Sequence, residues 1–219
     1  MAAGPMGDAE RAEPECADAA FPPHGAPGTP RAPGRPRSSI ADAAIIAAAV
    51  DSLEADGFDG LTVDGVAARA GVSKATIYRR YPSKIDLVLA AAQQCIGDIP
   101  IPLDTGSLRG DLEATAQKLV ALVATTPAGR IMPMLVAEIS RNPELGDAFR
   151  DYIGCRRRIS MEMAQRAIAR GELQADTDVE VMVDVLAGPI FYRSLVSGGP
   201  LDEHFVRHLV DAVTRAYAA

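Results

Sequence analysis

Ser73, Lys74, Thr76, Tyr78 and Arg79 place two hydroxyls, an ammonium, a phenol and a guanidinium within two helical turns. Ile77, among them, and Tyr81, just beyond, stand four apart, so a helix here buries one face and turns the polar groups outward. Such an outward face suits phosphate oxygens and the edges of bases. The small Ala75 lets the backbone approach a surface closely. Upstream, Thr62 opens a short apolar stripe of Val63, Val66, Ala67 and Ala70, and Gly71-Val72-Ser73 forms a tight turn. Two short helices joined by a glycine turn make a helix-turn-helix, whose second helix can enter a major groove.

Charge supports this placement. The chain of 219 residues has a formal net charge of -7, which argues against an evenly basic nucleic-acid binder. The charge is uneven, however. Residues 1–30 sum to -4, residues 31–84 to +2 and residues 85–219 to -5. A local positive patch is enough to meet phosphates. Arg35-Pro36-Arg37 just before the first helix has two readings: an arm that enters the minor groove, or a solvated tail.

The stretch from Leu61 to Lys84 resembles the DNA-binding domain of the TetR family of bacterial regulators. The shared pattern is Thr62, then Ala70-Gly71-Val72-Ser73-Lys74, Thr76, Ile77, Tyr78, and finally Tyr81-Pro82-Ser83-Lys84. The resemblance implies that Thr62, Ser73, Tyr78 and Lys84 hold phosphates, and that Lys74, Ala75, Thr76 and Arg79 face bases. Ala75 stands where glycine is common. Arg80 stands where histidine is common, and it is carried as a further DNA-contact candidate. Gly65 lies inside the second helix, where it costs about 1 kcal/mol against alanine, and no sequence argument explains it. Residues 171–178 and 186–193 are similar to one C-terminal subgroup of the same family. That similarity implies a ligand-binding region whose last two helices pair across a two-fold axis.

The elements that position these residues read as all-α, with an N-terminal three-helix domain and a larger helical regulatory and dimerisation domain. Residues 1–37 are rich in Pro, Ala and Gly and are expected to be a disordered arm with a basic tip. Residues 38–84 form the DNA-binding domain and residues 85–219 the regulatory part. Ser39 with Asp42 predicts a first N-cap, and Gly57 a stop. Lys74 to Tyr81 is the recognition helix. Ser83 with Asp86 caps a fourth helix, and 100–106 is a linker. Helices from Leu108, Arg130, Asn142-Pro143, Val179 and Asp202 follow, with Gly154 a potential interruption and Pro189 a predicted kink. Met132, Met134, Phe149, Tyr152 and Phe191 are candidates to line an apolar pocket, or else plain core. Met182, Pro189, Phe205, Leu209 and Val213 are expected at a homodimer interface.

Other chemistry is poorly represented. His204 and His208, four apart on the last helix, have metal-pair spacing; without a visible third ligand they read as surface histidines. Arg156, Arg157 and Arg158 read as a solvated face. Cys16, Cys95 and Cys155 give no disulfide or zinc spacing. No nucleophile-base constellation, cofactor motif, leader or membrane span is visible, so a cytoplasmic protein without a cofactor is expected. The sequence therefore predicts a homodimer on double-stranded DNA, answering a small apolar ligand, with repression the leading reading. An activator or ligand-independent regulator of the same fold is the alternative, and a helical enzyme with an accessory DNA module is the remote one.

Overall fold

The structure, a computed structural model, describes residues 37–96 and 104–218. The arm with Arg35, the side chain of Arg37 and most of the 100–106 linker fall outside it. The elements are α1 (Arg37–Gly60), α2 (Val63–Ala70), α3 (Lys74–Tyr78), α4 (Lys84–Ile96), α5 (Leu108–Thr125), α6 (Ala128–Ile139), α7 (Pro143–Ala169), α8 (Val179–Tyr192) and α9 (Glu203–Tyr217). Among the described residues, the β-type pairing is a single antiparallel bridge between Leu173 and Ala218.

Two large apolar clusters and a smaller third, of Ile96, Leu122, Ala128, Met132 and Tyr152, organise these helices. The first joins Ile45, Ala49 and Leu53 of α1, Val66 of α2 and Ile77 of α3 to Leu87, Val88 and Ala91 of α4. Ile131 and Leu135 of α6 and Leu145 and Ala148 of α7 complete it. Packing therefore runs across residue 84, and α4 belongs to the N-terminal core although its sequence lies past the expected boundary. The second cluster unites α5, the end of α7, α8 and α9.

Local chemistry explains the ends. Asn142 accepts a hydrogen bond from the Leu145 N–H at 3.2 Å, with Pro143 at the first helical position. Ser83 and Asp86 cap each other: the Ser83 N–H donates to Asp86 Oδ2 at 2.9 Å and the Asp86 N–H to Ser83 Oγ at 3.1 Å. Buried Asp111 accepts from the Thr105 N–H at 2.7 Å and from its hydroxyl at 2.6 Å, with Arg170 Nη2 3.6 Å away. Glu172 accepts from the Leu108 N–H and from Arg170 Nε at 2.9 Å. These polar links fasten the start of α5 to the end of α7.

Several expectations are corrected. Ser39 does not open α1, which already begins at Arg37. Gly57 breaks α1 with φ 71° and ψ -173°, but one more helical turn follows to Gly60. The recognition helix ends at Tyr78, with Arg79 and Arg80 in a turn. α6 starts at Ala128, before Arg130. Gly154 leaves α7 unbroken, because neighbouring contacts outweigh the roughly 1 kcal/mol cost of one glycine. α8 includes Pro189, the position of the expected kink, and gives way to a π-helical turn over Arg193–Ser197.

Candidate nucleic-acid interface and adjoining cavity

Two side-chain caps set the helix-turn-helix. Thr62 Oγ1 accepts from the Gly65 N–H at 3.1 Å and opens α2. A Cβ added at Gly65 would lie 3.0 Å from that oxygen, so this glycine keeps the cap uncrowded. Gly71 turns the chain with φ 65°, and the Val72 N–H donates back to the Ala67 carbonyl at 3.1 Å. Ser73 Oγ then accepts from the Thr76 N–H at 3.2 Å and opens α3. Ile77 is 0% exposed, and its burial is worth about 1.5–3 kcal/mol. That anchor fixes which side of α3 looks out.

The outward side carries Ser73, Lys74, Ala75, Tyr78 and Arg79, all exposed, with Thr76 half-buried among them. The Ser73 and Thr76 hydroxyls lie 2.9 Å apart. Lys74 Nζ is 2.9 Å from Asp64 Oδ2 and 6.0 Å from the centroid of the Tyr78 ring. The hydrogen bond and charge of Asp64 hold the Lys74 ammonium above its usual pKa. Arg79 forms no ion pair among the described residues. Lys84 Nζ sits 4.5 Å over the Phe58 ring and donates to the Asp59 carbonyl at 3.4 Å. Thr62 is exposed at the start of α2.

Arg80 is placed differently from its neighbours. Its guanidinium pairs with Asp42 of α1, donates to the Thr76 carbonyl at 3.3 Å and is only 17% exposed. Expected as a DNA-contact candidate, Arg80 here braces α3 against α1. Sequence held one signal for this, an acid at Asp42 with no other assigned role than capping. Arg35 lies outside the described residues, as does the Arg37 side chain.

A cavity of about 360 Å³ lies between α5, α6, α7 and α8, with Ile96 of α4 at one wall. Met132, Tyr152 and Phe191 line it, as expected of three candidates. Met134 and Phe149 do not. Met134 packs with the N-terminal core, where a Cβ on Gly57 would meet its sulfur at 3.8 Å. Phe149 backs Tyr152, ring centroids 6.5 Å apart. Leu112, Thr115, Ser160 and Met163 are lining residues that sequence reasoning missed; their regular helical spacing looks the same for a cavity wall as for a filled core.

The interface candidates also move. Met182 is fully buried and lines the cavity. Phe205, Leu209 and Val213 are buried inside the chain, in a cluster with α5 and α8 residues. Within the chain they belong to the core, where α5 covers the apolar face of α9. Pro189 is half-buried. The exposed apolar face of this region is instead Val181, Val185 and Tyr192 of α8, with Val196 beyond it. Burial pushes the Cys95 thiol up to about 11, aided by the Glu54 charge. Among the described residues no three metal-ligating side chains converge, and no single helix is long and apolar enough to cross a membrane.

Comparison with known proteins agrees with this arrangement. Residues 45–91 match the model of bacterial regulatory proteins of the tetR family, and residues 102–213 match a tetracyclin repressor-like C-terminal domain. The chain is 36% identical over 179 residues to the uncharacterized HTH-type transcriptional regulator YdeS of Bacillus subtilis, covering 81% of this chain and 89% of that protein. It is 35% identical over 179 residues to the DNA-binding transcriptional repressor TetR of Mycobacteroides abscessus, covering 81% and 93%. The crystal structure of the TetR family transcription regulator SCO0332 superposes with a TM-score of 0.63 at 33% identity, over 80% of this chain and 97% of that one. With both halves matched in order and the caps, turn and outward face of the DNA-binding unit in place, the chain belongs to the TetR family of helix-turn-helix transcriptional regulators.

Proposed function

We propose that the protein is a homodimeric repressor that holds double-stranded DNA through α3 and lets go when a small apolar ligand fills the cavity between α5 and α8. The observation that carries this reading is the double attachment of α6. Met132 faces the cavity, while Ile131 and Leu135 sit in the N-terminal core. Arg130 of α6 also pairs with Glu54 of α1 at 2.7 Å. A ligand that shifts α6 therefore shifts the helices that carry α3. Two half-sites demand a fixed separation of two recognition helices, so a small shift suffices. Bound at a promoter, the dimer would block polymerase. The bacterial cytoplasm is the place for such a protein.

Residues 38–84 supply the DNA contacts, with Thr62, Ser73, Tyr78 and Lys84 toward phosphates and Lys74, Ala75, Thr76 and Arg79 toward bases. Residues 1–37, with Arg35 and Arg37, would add phosphate contacts as an arm. Residues 85–219 carry regulation and pairing, the latter through Val181, Val185, Tyr192 and Val196. A relative named as a DNA-binding transcriptional repressor supports the sign of control.

Selection of genomic fragments by the purified protein tests the reading. A pseudo-palindrome with half-sites about 34–36 Å apart, or a multiple, is expected, and the adjoining gene should rise in a deletion strain. Fragments without a shared sequence would overturn DNA-specific control, and a fall in that gene would overturn repression.

A further inference from the structure

The walls of the cavity are apolar or carry neutral hydroxyls, with two exceptions among the lining residues: Arg157 of α7 and Asp184 of α8. These two pair with each other. Glu180, one turn earlier on α8, lies 3.8 Å from the same guanidinium. Exposure orders the three groups. The side chain of Arg157 is 34% exposed, that of Asp184 61% and that of Glu180 72%. The arginine is thus the least exposed of the three, while Asp184, which also lines the cavity, and Glu180 reach further toward solvent and neutralise it.

We propose that the cavity selects uncharged apolar ligands, and that Glu180 and Asp184 set this selectivity by neutralising Arg157, the cation on its wall. The inference rests on the reading of the cavity as a ligand site. A ligand anion entering an apolar space without a free counter-ion loses hydration with little return. Arg157 would repay that loss only after surrendering its two acids. A multiply charged headgroup fares worse, because the described wall offers no second cation. A neutral ring or chain asks nothing of the pair and gains the burial of its whole surface.

Two probes with one anilinonaphthalene body separate the alternatives. N-phenyl-1-naphthylamine is neutral, and 8-anilinonaphthalene-1-sulfonate is an anion. The chain contains no tryptophan, so Gly188→Trp at the cavity rim, where an added Cβ meets nothing within 4 Å, reports by energy transfer whether a probe sits in the cavity. The full-length protein should bind the neutral probe there at least about tenfold more tightly than the anion. Glu180→Gln with Asp184→Asn should tighten the anion about tenfold and leave the neutral probe within about twofold. Arg157→Gln, made separately, should leave the anion weak and the neutral probe unchanged. Equal affinities in the unaltered protein, or an anion indifferent to loss of both acids, would overturn the selectivity while leaving the ligand site intact. Absence of energy transfer from either probe would overturn the ligand site itself, and the selectivity with it.

Discussion

Arg79 and Arg80 are adjacent and chemically identical, yet removing each should do different things. Arg79 is exposed and forms no ion pair among the described residues, so Arg79→Ala removes nothing that holds the fold. Its effect on stability should stay within about 0.5 kcal/mol, the usual range for such surface changes. If its guanidinium reads a guanine edge, the loss of specific affinity is about 1–3 kcal/mol, or roughly 5- to 150-fold. Arg80 is mostly covered and bridges Asp42 on α1 and the Thr76 carbonyl. Arg80→Ala leaves a partly buried carboxylate without its cation, at about 1–3 kcal/mol of stability. The assays are urea denaturation for stability, and fluorescence anisotropy on a selected operator and on an unrelated duplex at equal salt. Equal weakening of both duplexes by Arg79→Ala would refute a base-reading role for this side chain. Full stability with loss of the operator in Arg80→Ala would refute the bracing role of Arg80.

Other outcomes follow from the same geometry. Val185→Asp or Val181→Asp, on the exposed face of α8, should give a folded monomer by light scattering and circular dichroism, whereas Leu209→Asp, buried in the chain, should lose the fold. Gly57→Ala should cost about 1–3 kcal/mol in denaturant titration, since alanine avoids the φ 71°, ψ -173° region; an unchanged midpoint would show that the break in α1 relaxes freely. The Arg170 hydrogen bond holds the Glu172 carboxyl below its usual pKa, so its contribution is complete above about pH 4.3 and is lost as pH falls through the lower folded value. Glu172→Gln should therefore lower stability at pH 7 and flatten its acid dependence below about pH 4.3; an acid limb identical to that of the unaltered chain would refute this linkage.

Legibility followed the range of the interaction. The α2–turn–α3 unit was readable because Thr62, Gly71 and Ser73 act on backbone groups within a few residues. Tertiary partners were not. The stripe of Phe205, Leu209 and Val213 reveals an apolar face but not that α5 and α8 cover it within one chain. Met182 reads the same whether it meets a partner or a cavity. Arg80 looks like its neighbour until Asp42 is brought beside it. Gly65 became intelligible only from the 3.0 Å left to the Thr62 hydroxyl.

The central claim is sequence-specific DNA binding by a dimer through α3, and one stoichiometric titration tests it most directly. Labelled operator duplex from the genomic selection is titrated with full-length protein, with sedimentation giving the mass of the complex, and Arg79→Ala run beside it. One dimer for each pair of half-sites is expected, with at least about a thousandfold preference over unrelated duplex at equal salt, and a preference roughly 5- to 150-fold smaller in Arg79→Ala. Binding that is equally tight on both duplexes, or saturation by a single chain, would contradict that claim.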